Sequence, residues 1–211
     1  EVRTFLLSGI EPILAMKFKN NQKSSTINSK EHNRLGAVIM DVQDNLLNAI
    51  DDRIRLKESI VLGADILRVL QIPFCFTEQV PQKLGTTIAE LTKDTTQVPV
   101  FEKNTFSAFG SPEFSDWVKS NKISHLLILG IETTICVYQT CVDALREGLN
   151  VTVLSDCVGA RRADDAYIAL NQLRSFDCCI IPLETIAYSY LNNSDHPSFK
   201  DIAKLVKERT E

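Results

Sequence analysis

Apolar residues fall along this chain in short continuous runs separated by stretches of helical spacing. Ala37-Val-Ile-Met40, Pro73 to Thr77, Val98 to Glu102, Leu126 to Leu129, Val151 to Leu154 and Cys178 to Ile181 are the runs. Uninterrupted apolar character over four or five residues is expected of strands buried on both faces. Between them the period changes. Ile60, Ala64 and Leu67 share one face of a helix over Asp51–Leu70, which Asp51 or Asp52 can cap. Thr86–Leu91 reads as a short helix. Ser111-Pro112 opens another, running to about Ser120 with serine as N-cap and proline in the first turn. Cys136–Glu147 is helical and ends at Gly148. Ala163–Ser175, Glu184–Leu191 and an amphipathic Pro197–Glu208 complete the set.

Buried strands alternating with helices predict a mostly parallel sheet of six strands, because parallel neighbours need crossover connections. The expected fold class is α/β, a three-layer α/β/α Rossmann-like domain over residues 35–209. Residues 1–34 have no sustained period and are rich in Lys, Asn and Ser, so they read as a disordered tail. Met16 is a candidate start, with a mildly basic lead-in after it that lacks the arginine pattern of a mitochondrial presequence.

Composition narrows the class. The 211 residues carry a net charge of −4 and an isoelectric point near 5.5, which argues against a general nucleic-acid binder. No apolar run reaches the roughly 18–20 residues needed to cross a bilayer. Six cysteines lie mostly inside apolar runs, without a CxxC pair, and read as free thiols of a reducing compartment. The expected location is therefore intracellular, with the cytosol ahead of the mitochondrion.

In an open parallel sheet the site lies beyond the carboxyl ends of the strands. Asp41 follows the first strand, Lys103 the third, and Cys136 follows the fourth by a short loop at a helix start. A carboxylate can take the thiol proton, and an ammonium and a helix N-terminus both favour the thiolate. Each residue alone has a plainer reading: a packed thiol, a helix cap and a solvated lysine. Gln43 and Glu78 follow strands one and two and are candidate substrate contacts, with a loop-stabilising carboxylate as the equal alternative for Glu78. Phe106 and Phe109 are candidate pocket walls or core. Arg161-Arg162 follows strand five, where helix-start ion pairing is favoured over a substrate carboxylate. Cys141 and Trp117 read as core, and Cys157 as a second thiol near the site edge. No GxGxxG follows the first strand, so a dinucleotide-binding reading is poor.

The stretches Ala37-Val-Ile-Met-Asp-Val-Gln43, Phe101-Glu-Lys-Asn-Thr-Phe-Ser107 and Gly130-Ile-Glu-Thr-Thr-Ile-Cys-Val137 together resemble the isochorismatase-like cysteine hydrolase superfamily. Thr77-Glu-Gln-Val-Pro-Gln-Lys-Leu-Gly85 and His196-Pro-Ser-Phe-Lys-Asp-Ile-Ala-Lys-Leu-Val-Lys207 resemble its animal members. The likeness covers about residues 35–208. It implies the isochorismatase-like fold, Asp41 as general base, Lys103 as electrostatic partner and Cys136 as nucleophile. It also implies a cis peptide at Ile131–Glu132 and an oxyanion hole from the Glu132 and Cys136 N–H groups. Thr133, beside that peptide, is a candidate substrate contact or a residue that holds the loop, as is Thr134 for the loop.

The departures matter. The nicotinamidase branch holds zinc after the second strand through an Asp and two His, where this chain has Thr77-Glu78-Gln79. The three histidines, His32, His125 and His196, do not form a ligand set. True isochorismatases lack the cysteine. The resemblance thus implies a metal-independent cysteine hydrolase of a small amide, carbamoyl or related carbonyl substrate, with no cofactor and no metal. A binding or scaffold protein with an idle site is the alternative, and a homo-oligomer is left open.

Overall fold

The computed structural model describes residues 34–93 and 97–209. The expected tail lies, apart from Arg34, outside the described residues.

Six strands form one sheet in the order β3-β2-β1-β4-β5-β6, and every neighbouring pair is parallel. They are β1 (Leu35–Met40), β2 (Phe74–Gln79), β3 (Val100–Lys103), β4 (His125–Ile131), β5 (Asn150–Gly159) and β6 (Cys179–Ile181). The helices, in chain order, are α1 (Asp44–Leu47), α2 (Arg53–Val69), α3 (Pro81–Leu84), α4 (Ala89–Thr92), α5 (Pro112–Ser120), α6 (Tyr138–Arg146), α7 (Ala163–Ser175), α8 (Leu183–Leu191) and α9 (Phe199–Lys207).

The continuous apolar runs are the central strands because both sheet faces are covered. All residues of β1, β2 and β4 are buried. Along β1 the side chains alternate between two cores. Leu35, Ala37 and Ile39 enter one, beneath α2, α8 and α9. Val38 and Met40 enter the other, beneath α5, α6 and α7. On the second face Trp117 stacks on Phe114 and tilts against Phe101, as core packing requires. Cys141 is buried there too.

Several element ends differ from the sequence reading. β2 runs to Gln79 and β4 to Ile131, so both carry polar or site residues that do not look like strand from hydropathy. β5 extends to Gly159, well past the expected Leu154. Its added half holds Asp156, which accepts from the Leu183 N–H at 2.8 Å and from Arg209 at 2.9 Å. Those partners lie far along the chain, outside any local pattern. The expected helix start at Cys136 is instead a π-turn, Thr133–Val137, that runs into α6. Neither Asp51 nor Asp52 bonds as a side-chain cap of α2, whereas Ser111 does accept from Phe114 N–H at α5.

The strand order reverses between β1 and β4, one leading outward through β2 and the other through β5. Crevices of parallel sheets open at such a reversal, beyond the carboxyl ends. Gly130 makes the close approach there possible. Its φ is +112°, and a Cβ at this position would collide with the Met40 backbone.

Candidate active site

Asp41, one residue past β1, has a φ of +54°, a left-handed conformation uncommon outside glycine. Its N–H donates to Thr77 O at 3.0 Å, which fixes this turn to β2. The carboxylate is fully buried. Oδ1 accepts from the Thr77 hydroxyl at 2.7 Å, and Oδ2 accepts from Lys103 Nζ at 2.7 Å.

Lys103 is the last residue of β3, two strands from Asp41. Its side chain crosses the end of β2 and is almost wholly buried. On the way Nζ donates to Gln79 Oε1 at 2.6 Å, with looser contacts to the Thr105 and Phe106 carbonyls at 3.3 and 3.2 Å. Cys136 Sγ lies 3.7 Å from the same nitrogen. The structure therefore brings Asp41, Lys103 and Cys136 into one contact group.

The sequence reading gives Gln79 no role beyond standing where the nicotinamidase branch holds zinc. It pairs with Lys103 in the β2–β3 register and also donates to Asn104 O at 3.2 Å. The available signal was the two-residue alternation from Thr77, hidden because the strand is expected to stop there.

Cys136 sits in the π-turn with 7% of its surface exposed. Burial, and then the neighbouring Asp41 carboxylate, push its thiol up to about 12. Lys103 pulls in the opposite direction, the hydrogen bond to Asp41 raises it further, and a hydrogen bond from the Glu132 backbone lowers it. The resting sulfur is thus a thiol, where helix-terminus reasoning leads one to expect a thiolate. The reason is burial first, and then charge: the one ammonium beside the sulfur is already matched by Asp41.

The peptide between Ile131 and Glu132 is cis. The Glu132 carboxylate accepts from the Thr134 hydroxyl at 3.1 Å and from Arg161 Nε at 2.7 Å. Arg162 pairs instead with Asp165 at 3.2 Å, in the first turn of α7.

Above Cys136 opens a cleft of about 440 Å³. Leu46, Ile50, Leu84 and Ile135 make it predominantly apolar, and Phe106 and Gln79 also line it. Phe109 faces the core, with its ring 5.0 Å from that of Phe114.

Two expected substrate contacts are engaged elsewhere, and a third lies outside the cleft. Gln43 is fully buried; it accepts from the Gln79 N–H at 2.8 Å and donates to the carbonyls of Gln79 and Gly85. Glu78 accepts from the Thr87 N–H at 2.6 Å. Both brace the loop after β2, because a buried loop must pair its backbone groups. Thr133 is buried and borders a separate groove beside Ser155 and Tyr167. Cys157 is buried as well, against the Ser59 carbonyl, and does not border the cleft. Among the described residues no cluster of His, Cys, Asp or Glu is set to hold a metal ion, and no helix is long and apolar enough to cross a membrane.

The isochorismatase domain matches residues 36–186 of this chain. Isochorismatase family protein 1A of Dictyostelium discoideum is 36% identical over 150 residues, 69% of this chain and 73% of that protein. Isochorismatase domain-containing protein 2 of Bos taurus is 34% identical over 143 residues, 68% of this chain and 69% of that protein. Among solved structures, one described as the MAR1 ribonuclease of Caenorhabditis elegans superposes with a TM-score of 0.79 at 30% identity, covering 85% of this chain and 93% of that one.

Proposed function

The chain belongs to the isochorismatase family, and we propose that it is a metal-independent cysteine hydrolase of small amide, carbamoyl or related carbonyl substrates. The observation that carries this reading is the Asp41–Lys103–Cys136 contact group at the foot of an apolar cleft.

In this mechanism Cys136 Sγ attacks the substrate carbonyl carbon as its proton passes to Asp41. The oxygen gains negative charge and is received by the Glu132 and Cys136 N–H groups. The C–N bond breaks, the amine leaves with the proton from Asp41, and a thioester remains on Cys136. Asp41 then removes a proton from water, hydroxide adds to the thioester, and the acid departs as the thiol is restored. Lys103 holds its charge throughout and fixes Asp41. No step requires a cofactor or metal.

Cys136→Ala is expected to lower hydrolysis of an accepted amide by at least about a thousandfold, the scale of losing a covalent nucleophile. Its unfolding midpoint should stay close to that of wild type. Full activity in the variant would remove the nucleophile.

A ribonuclease reading rests on the description of the C. elegans structure. Against it stand the acidic balance and an apolar cleft, where RNA binding calls for basic surface. RNA cleavage by both wild type and Cys136→Ala would favour a nuclease site elsewhere on the molecule. An idle site is the other reading. It would leave every amide and carbamoyl substrate untouched by a folded wild-type protein.

A further inference from the structure

The charges at the cleft mouth are not balanced. Its charged lining residues are Lys83, Glu132 and Arg161. Both oxygens of Glu132 are engaged, one by Thr134 and one by Arg161 Nε. That leaves the two Nη groups of Arg161 and the Lys83 ammonium without an acceptor among the described residues. Deeper in the site, the Lys103 charge is matched by Asp41. The cleft therefore offers a nucleophile at its foot, apolar walls along Leu46, Ile50, Leu84 and Ile135, and spare cationic donors at its rim.

We propose that the substrate is a small aliphatic amide bearing a carboxylate at the end remote from the scissile bond, which Arg161 and Lys83 recognise. This rests on the hydrolase reading above and names its substrate class. With the amide carbonyl at Cys136, the methylene body lies against the aliphatic walls and the far end reaches the rim. Arg161 has its Nε fixed by Glu132, so its orientation is set and its paired Nη groups match the two oxygens of a carboxylate. Lys83 adds a point charge on the α3 side. Because the Arg161 side chain is 54% exposed, solvent screens the contact, and discrimination is on the order of tenfold.

Binding is measured by calorimetry on Cys136→Ser, which holds a ligand without forming the thioester. The probes are mono-amides of aliphatic dicarboxylic acids, from succinamate to adipamate, each compared with the diamide of equal length. At least one mono-amide is expected to bind about tenfold more tightly than its diamide, with the gap narrowing as salt rises. The gap should shrink in Arg161→Gln. It should also shrink in Lys83→Gln, which breaks no hydrogen bond of the fold and so controls for disturbance of Glu132. Equal affinities, no measurable binding of any mono-amide, or a gap unchanged in both variants overturns the proposal. Ammonia release by wild type separates the two readings. A preferred mono-amide that is bound but never hydrolysed removes the hydrolase and leaves the anionic ligand. Hydrolysis indifferent to the carboxylate does the reverse.

Discussion

Cys136 rests as a thiol because it is buried, and because the Lys103 charge beside it is already offset by Asp41. Ionising it into solvent would add a net negative charge to a buried group, and the thiol is pushed up to about 12. Passing the proton to Asp41 instead leaves the net charge of the three residues unchanged, so in the proposed mechanism the nucleophile forms by internal transfer when substrate arrives. Asp41→Asn separates these effects. It removes both contributions of Asp41 to the high value and leaves Lys103 facing the sulfur alone. The Cys136 titration is expected to move down, read from ultraviolet thiolate absorbance as the difference from a Cys136→Ser control. Hydrolysis should fall in the same variant, since no group remains to protonate the leaving amine. A titration that stays put or rises would mean that burial alone sets the value.

At the scale of elements, the sheet explains why a long side chain serves opposite Asp41. β3 lies two strands from β1, and adjacent strands are about 4.8 Å apart. Lys103 must cross β2, and Thr77 and Gln79 line its path with polar groups that keep the buried ion pair satisfied. That Asp41, Lys103 and Cys136 fall at the carboxyl edge of the sheet was legible in the sequence because runs buried on both faces mark the strands, if not their last residues. Gln79 was not, because its role depends on the register with Lys103 across two strands. The inward turn of Gln43 was equally hidden, since its partners are backbone groups of a loop that no periodicity describes, whereas Glu78 takes the loop-stabilising alternative. The second half of β5 was missed for a related reason. Asp156 looks like a strand terminator until Arg209 binds it at 2.9 Å and reaches Ser59 at 2.9 Å with its other Nη. That clasp ties the end of the chain to α2 and β5, while α9 buries only Ile202 completely. Arg209→Met is expected to lower unfolding free energy by about 1–3 kcal/mol, the range for a charge-assisted hydrogen bond that leaves a partner unsatisfied. Urea unfolding measures it, and an unchanged midpoint would show that the clasp contributes nothing net.

Over the whole molecule, the buried thiols make alkaline pH a global perturbation. Burial raises Cys75, Cys141 and Cys157 well above the ordinary value of 9.0, and Cys136 reaches about 12. A raised thiol means that the folded chain holds a proton which the unfolded chain releases. Below the unfolded value both states are protonated, and stability does not depend on these groups. As pH rises past about 9 the unfolded state alone loses protons, so unfolding becomes steadily easier until the folded thiols titrate in turn. Each such thiol contributes a slope of about 1.4 kcal/mol per pH unit at its limit, so the four together give a steep decline. The urea midpoint is expected to be insensitive to these groups from pH 7 to roughly 8.5 and to fall sharply above about 9. Cys75→Ala removes one titrating group, at the cost of a small cavity, and should make the alkaline decline shallower even where its stability at neutral pH is lower. The test is therefore the slope of the decline, not its starting height. An identical slope in that variant would show that Cys75 has no part in the alkaline loss, against the direction in which burial shifts its thiol.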